Sequence, residues 1–263
     1  MTDLIKTQQN GPIFEIILDR VDKRNALNTE MMLGLEQAIL QAERATDARV
    51  LVIRGEGPSF SAGIDLMGFD QTAEHFGEAW RDNLFPMTHK YQQIFNTLER
   101  CTLPVIAQVH GHCIGMAFEL ILACDIRVAA AGTKLGLPET RLGLIPDVGG
   151  TTRLVRLVGP GLAKELILTG RQFDASYAEQ RGIVNYAVPV DALADKVTEL
   201  ADELCAAAPL AVSYAKRVVD GVTDIERGLQ MEAWAQSVLI RSEDFEHGAQ
   251  AMMMRQPPQW NGK

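Results

Sequence analysis

Three carboxylates lie in apolar stretches of the chain, where an isolated charge is costly. Glu119 is the one charged residue between His112 and Asp125, and Glu139 and Asp147 lie within residues 135–151, a run rich in leucine and glycine. A buried carboxylate needs a partner, a proton or a task. Glu119 admits two readings. It is a structural group satisfied by backbone or by His112, or it faces a cavity beside a helix start whose N–H groups, around Met116 and Ala117, favour negative charge. Pro138-Glu139 could equally be an exposed turn, and Asp147 a cap for a helix beginning near Thr151. Taken together, carboxyls with separated pKa values are what one site needs to supply both an acid and a base.

Two glycine-bearing segments offer the electrophilic counterpart. They are Ser61-Ala62-Gly63-Ile64-Asp65 and Gly111-His112-Cys113-Ile114-Gly115-Met116-Ala117-Phe118-Glu119. Each follows an apolar run that reads as a buried strand, residues 50–53 and 105–109. Glycine lets a backbone approach a ligand closely. Two N–H groups converging on one carbonyl oxygen stabilise an enolate.

The elements that must position these groups alternate between strand and helix. Ile13–Leu18 reads as a strand. Asn28 and Thr29 can cap a helix to about Arg44, with Met32, Leu35, Ala38 and Ile39 on one face. Residues 50–54 form a strand closed by the turn at Gly55-Glu56-Gly57-Pro58. A mostly helical stretch over 73–98 is interrupted by Pro86. Strands at Val105–Val109 and Ile126–Ala130 flank a buried helix over 116–123. From Asp191 onward the pattern is helical only, over about 191–207, 210–220 and 224–254, punctuated by Pro209 and Gly221. The expectation is an α/β core over 1–195 that holds the site, followed by a helical region over 196–263 that packs on the core or on another subunit.

Composition narrows the function classes. The 263 residues are 47% hydrophobic, and 25 Lys and Arg against 34 Asp and Glu give a net charge of −9. An acidic chain with no basic run is a poor nucleic-acid binder. No stretch approaches 18 apolar residues, so no membrane span is expected, and the first residues lack a signal pattern. Cys101, Cys113, Cys124 and Cys205 show no metal-ligand spacing and read as free thiols in a reducing compartment, with the cytoplasm the simplest location. His89, His110 and His112 have no usable partner spacing.

Several motifs, in order and over nearly the whole chain, resemble the crotonase superfamily of enoyl-CoA hydratases and isomerases. Asp22-Lys23-Arg24-Asn25-Ala26-Leu27-Asn28 resembles its early CoA-contacting loop. Phe60-Ser61-Ala62-Gly63-Ile64-Asp65-Leu66 resembles its first oxyanion loop. Pro104-Val105-Ile106-Ala107, then Gly111 through Glu119, resembles its second, with Met116 where many members have glycine. Ser242-Glu243-Asp244, Gly248, Pro257, Trp260 and Gly262-Lys263 are similar to its C-terminal end.

The resemblance implies an α/β fold of the crotonase (ClpP-like) kind, a spiral of β-β-α units with C-terminal helices for trimerisation, assembled as a homo-trimer or a dimer of trimers. The substrate would be an acyl-CoA thioester, with no metal and no redox cofactor. Its carbonyl oxygen would sit between the N–H groups of Ile64 and Met116. The rest of the substrate would run past Lys23, Arg24, Ala26, Ala62, Gly63, Asp65, Leu66 and Gly115. Glu119 and Glu139 match the two catalytic glutamates of hydratases, Glu119 activating a water for attack on Cβ and Glu139 giving a proton to Cα. Asp147 departs from that pattern, because common short-chain hydratases carry a small residue there. Dienoyl-CoA isomerases use acids at the Glu139 and Asp147 positions, with aspartate usual at the Glu119 position. The implied activity is syn-hydration of a trans-2-enoyl-CoA. Δ3,5-Δ2,4-dienoyl-CoA isomerisation is the alternative, and a non-catalytic acyl-CoA binder is the alternative of another class. Phe69, Phe76, Trp80, Leu84, Phe85 and Met87 either line an acyl tunnel or pack the core.

Overall fold

The computed structural model describes residues 4–67, 72–222, 225–254 and 256–263. Two sheets form its layers. The larger has the order β1-β2-β3-β4-β6-β9 and comprises β1 (Ile5–Asn10), β2 (Ile13–Leu18), β3 (Val50–Gly55), β4 (Val105–Val109), β6 (Ile126–Ala130) and β9 (Tyr186–Val188). Its first pair is an antiparallel hairpin and every other pairing is parallel. The smaller sheet contains β5 (His112–Ile114), β7 (Lys134–Gly136) and β8 (Phe173–Asp174), in that order. Single bridges from Leu27 to Ile64 and from Ser61 to Cys113 extend this second layer. The chain therefore leaves three parallel strands of the large sheet for the small layer before crossing back: β3 to Ser61, β4 to β5, β6 to β7.

Period-2 burial gives the large sheet two apolar faces. Leu51 and Ile53 of β3 join the main core with Met31, Met32, Leu35 and Ile39 of α1 (Thr29–Arg44). Val50 and Val52 face the other way, onto Leu193, Val197, Leu200 and Ala201 of α7 (Leu193–Ala206). The expected boundary at 195 thus falls inside a helix whose apolar side completes the core of the large sheet.

Local chemistry sets the helix ends. The Asn28 side chain accepts from Met31 N at 3.0 Å and caps α1. The stretch expected to be helical over 73–98 is divided into α2 (Thr72–Phe76), a 3₁₀ turn at Glu78–Arg81 and α3 (Phe85–Glu99). Pro86 opens α3 instead of interrupting a helix, since a first-turn residue needs no N–H acceptor. α4 (Met116–Leu122) is buried throughout. α5 (Gly150–Thr169) bends at Gly159-Pro160, and α6 (Ala175–Gln180) is capped by Asp174. After α7 come α8 (Pro209–Gly221), α9 (Ile225–Leu239) and α10 (Glu243–Met254). The expected single helix over 224–254 breaks at 240–242, where Ser242 Oγ accepts from Phe245 N at 3.1 Å and starts α10.

Asn25 clasps the loop before α1 to the first glycine segment. It is fully buried in a left-handed conformation with φ 54°, one that asparagine tolerates better than most residues. Its Nδ2 donates to the carbonyls of Glu56 and Ser59, both at 2.9 Å, and of Phe60 at 3.1 Å, while Oδ1 accepts from Arg20 N at 2.8 Å. Ser61 Oγ donates to the Asn25 carbonyl at 2.7 Å. Asn25→Ala strands this set, so the variant is expected to lose about 3 kcal/mol of stability, measured as a lower denaturant midpoint at unchanged slope.

Candidate active site

The small layer brings the two glycine segments side by side. Phe60 N donates to the His110 carbonyl at 2.8 Å, Ser61 N to that of His112 at 2.9 Å, and Ile114 N to that of Ser61 at 3.4 Å. Gly63, at φ 92°, lies so close that an added Cβ would collide with the Ile114 carbonyl oxygen and sit 3.6 Å from Met116 N. Only glycine fits there. The Gly63 carbonyl accepts from Leu27 N at 2.7 Å. In a trans peptide the next N–H points the opposite way, so Ile64 N–H is directed away from Leu27. Met116 N is the first amide of α4 and has no acceptor within the helix. The two N–H groups singled out in the sequence, Ile64 and Met116, therefore come from adjoining segments, with Gly63 packed beside Met116 N.

Glu119 lies one turn further into α4 and is 2% exposed. Its Oε2 accepts from Val148 N at 2.9 Å and Gly150 N at 2.6 Å. Backbone thus satisfies one oxygen, as one reading allowed. His112 plays no part in that, since its Nδ1 lies 3.2 Å from Ser59 Oγ. Burial pushes the Glu119 carboxyl from 4.5 up to about 8, with repulsion from Glu139 and Asp147 adding to it and the two N–H donors opposing it.

Glu139 opens the 3₁₀ turn at Glu139–Leu142. An ideal Cβ on Gly115 would lie 2.9 Å from its Oε1, which places this carboxyl against the peptide leading into Met116. Its other oxygen, Oε2, is buried with no hydrogen-bond partner among the described residues. Burial raises its pKa, and Asp147 adds to the shift. The turn is tied to the end of α5, with Thr140 Oγ1 donating to the Ile167 carbonyl and Arg141 Nε to that of Thr169, both at 2.9 Å.

Asp147 does not cap α5. Its Oδ2 accepts from Thr88 Oγ1 at 2.8 Å, and Gln92 Nε2 donates to its carbonyl at 2.6 Å. The carboxylate at the start of α5 is Glu119, brought from a different helix.

Lys23, Arg24, Ala62 and Leu66 are exposed, Ala26 is half-buried, and Ala62 N donates to the Arg24 carbonyl at 2.9 Å, so the two loops share one rim beside Ile64. Asp65, expected along that path, turns its carboxylate inward. Oδ2 pairs with Arg20 Nη1 at 2.6 Å and Oδ1 accepts from Met67 N at 3.0 Å. Arg20 also donates to the Ala26 carbonyl at 3.0 Å, a bracing role that nothing in its local sequence signals. Of the residues read as tunnel or core, Trp80 and Met87 are core, Phe76 packs against that core edge-on to Tyr91, Leu84 and Phe85 are exposed, and Phe69 lies outside the described residues. Among the described residues no group of His, Cys, Asp and Glu is arranged to hold a metal ion, and no helix is long and apolar enough to cross a membrane.

The raised Glu119 value has a thermodynamic consequence. Between 4.5 and about 8 the folded chain holds a proton that the unfolded chain releases, so stability falls as pH rises through that window. Glu119→Gln removes the titration and keeps an acceptor for Val148 and Gly150. The variant's melting temperature relative to wild type is expected to climb between about pH 5 and about pH 8.5, by up to about 1.4 kcal/mol per pH unit in stability. A difference flat with pH contradicts this.

The chain is similar to known proteins over nearly its whole length. A family profile described as enoyl-CoA hydratase/isomerase matches residues 8–263. The probable mitochondrial enoyl-CoA hydratase 2 of Arabidopsis thaliana is 35% identical over 253 residues, covering 95% of this chain and 82% of its own. The 2,3-dehydroadipyl-CoA hydratase of Escherichia coli (strain K12) is 32% identical, with all of both chains covered. The crystal structure of an enoyl-CoA hydratase from Bacillus anthracis superposes with a TM-score of 0.91 at 34% identity, over 99% of this chain and all of that one. The stacked β-β-α turns and C-terminal helices are the crotonase fold, and the chain belongs to the enoyl-CoA hydratase/isomerase family.

Proposed function

We propose that the chain is an enoyl-CoA hydratase that adds water syn across a trans-2-enoyl-CoA to give a 3-hydroxyacyl-CoA. The observation that carries this reading is the pair of carboxyls set about the first peptide of α4, Glu119 buried and Glu139 half-buried with Oε2 shielded. The names of the Arabidopsis and Escherichia coli relatives, both hydratases, support it.

The thioester oxygen sits between Ile64 N–H and Met116 N–H. Glu119 takes a proton from water as the oxygen attacks Cβ, and the π electrons move onto the thioester oxygen as an enolate. Glu139 then protonates Cα. Donors of this type contribute about 3–4 kcal/mol each, because the charge they meet is greatest in the transition state. The reaction uses no net proton, so the two carboxyls must hold one between them. Burial raises the pKa of both, and the charge of Glu139 adds to the rise at Glu119, so the site favours keeping a proton. The two N–H groups on Glu119 Oε2 stabilise its ionised form, the state the base requires. Lys23 and Arg24 meet the phosphates of CoA as charge-assisted donors. The exposed apolar residues of the last three helices, among them Leu229, Trp234 and Phe245, serve assembly into a trimer or a dimer of trimers.

Asp147 favours a second reading, Δ3,5-Δ2,4-dienoyl-CoA isomerisation, because it acts electrostatically on both glutamates. Its bond to Thr88 favours a holding role. Assaying trans-2-enoyl-CoA and 3,5-dienoyl-CoA side by side separates the two. Hydration is expected to fall by about 10²–10⁴-fold in Glu119→Gln and in Glu139→Gln. Asp147→Asn, which keeps its acceptor for Thr88, is expected to stay within about tenfold of wild type. Diene formation that requires Glu139 and Asp147 establishes the isomerase instead. Acyl-CoA binding without turnover of either substrate establishes a binder.

A further inference from the structure

Four polar residues on α3, Thr88, Gln92, Asn96 and Glu99, follow at i, i+4, i+8 and i+11 and so share one face of the helix. All four bear on one loop. Thr88 Oγ1 donates to the Asp147 carboxylate at 2.8 Å and Gln92 Nε2 to the Asp147 carbonyl at 2.6 Å. Asn96 Oδ1 and Glu99 Oε2 accept from Arg153 Nη2 at 2.8 and 2.9 Å. Arg153 Nη1 in turn donates to the Val148 carbonyl at 3.3 Å. The guanidinium lies over Gly149, where φ is 107° and an added Cβ would collide with it. The loop so held contains Val148 and Gly150, whose N–H groups bind Glu119.

We infer that Thr88 and Gln92 are positioning residues for Glu119, fixing the Asp147–Gly150 loop so that its two N–H groups stay on the buried carboxylate. The inference rests on the hydratase reading for its effect on rate, though not for its effect on the carboxylate itself. It also gives Asp147 a task in hydration that needs no proton transfer. The carboxylate is the handle by which α3 grips the loop.

The geometry dictates the sign of the effect. Hydrogen bonds to a carboxylate favour its ionised form. A loop freed from α3 binds Glu119 less well, so the proton is held more tightly and less of the carboxyl is ionised to act as base at a given pH. The charged groups bearing on Glu119 are Glu139 from the 3₁₀ turn and Asp147 from the loop itself. Gln92→Leu touches neither carboxylate, whereas Thr88→Val also takes a donor from that of Asp147.

The test uses Thr88→Val and Gln92→Leu as separate variants of the full chain, each removing one tether without adding a charge, with Thr88→Ser as the conservative control. The Glu119 carboxyl is titrated by infrared difference spectroscopy, with Glu119→Gln as the blank, and hydration of a trans-2-enoyl-CoA is measured alongside. Each tether variant is expected to raise the Glu119 midpoint by at least about half a unit. Each is also expected to lower kcat by about tenfold, with KM changed less than about threefold. Thr88→Ser is expected to restore both. A Glu119 midpoint that does not move in either variant overturns the inference, whatever the loss of rate or stability. Wild-type protein that hydrates no enoyl-CoA overturns the hydratase reading alone, and the infrared titration then still decides the positioning role.

Discussion

The contact on which the site depends joins two helices that are remote in sequence. Glu119 on α4 reaches the amides of Val148 and Gly150 at the start of α5, and an ideal Cβ on Gly150 would lie 2.6 Å from Glu119 Cγ. A carboxylate this deep is unfavourable without donors, and the opening of a helix leaves donors without acceptors. Each defect offsets the other. The glycines at 149 and 150 serve this fit by letting the backbone close over a charged side chain. Acid–base capacity and local folding are in this sense one arrangement.

The second layer of the fold does the corresponding work for the electrophilic half. Its ladder runs from Leu27 to Ile64 and from Ser61 through Cys113 and Leu135 to Phe173, assembled from pieces one to three residues long. Such short strands have little stability of their own. They persist because the large sheet behind them is buried on both faces and fixes where each crossing begins. The same ladder sets Gly63 against Ile114, and so brings two amides from distant loops together.

How much of this was legible in the sequence depends on the range of the interaction. Asn28 capping α1, the apolar face of that helix, the strands at 13–18 and 105–109 and the two glycine segments are local patterns, and each has its expected place in the structure. Glu119, Glu139, Ile64 and Met116 could be chosen from residue type and resemblance, and the fold brings them together. β5, β7 and β8 are too short to carry a period. The break at 240–242 hangs on one serine hydroxyl inside a helical pattern. Asp147 was readable as a cap because it precedes a helix, yet a glutamate 28 positions earlier takes that place. The grip of α3 on the loop was visible only as an ordinary polar helix face, since nothing in Thr88 or Gln92 announces its partner. Arg20 and Asn25 escaped notice for the same reason.

The bent helix α5 joins two observations that so far stand apart. Its first amides hold Glu119, and its last carbonyls, at Ile167 and Thr169, hold the turn that begins with Glu139. One helix therefore works as a caliper, with one jaw on the Glu119 carboxyl and the other on the turn that carries Glu139. At its middle Gly159 has φ 76° ahead of Pro160, so the helical hydrogen bonding is interrupted there and the halves meet at an angle. The placing of the Glu139 turn relative to Glu119 therefore passes through that bend. A substitution at the bend would shift one anchored end against the other without changing Glu119, Glu139 or any residue that holds them.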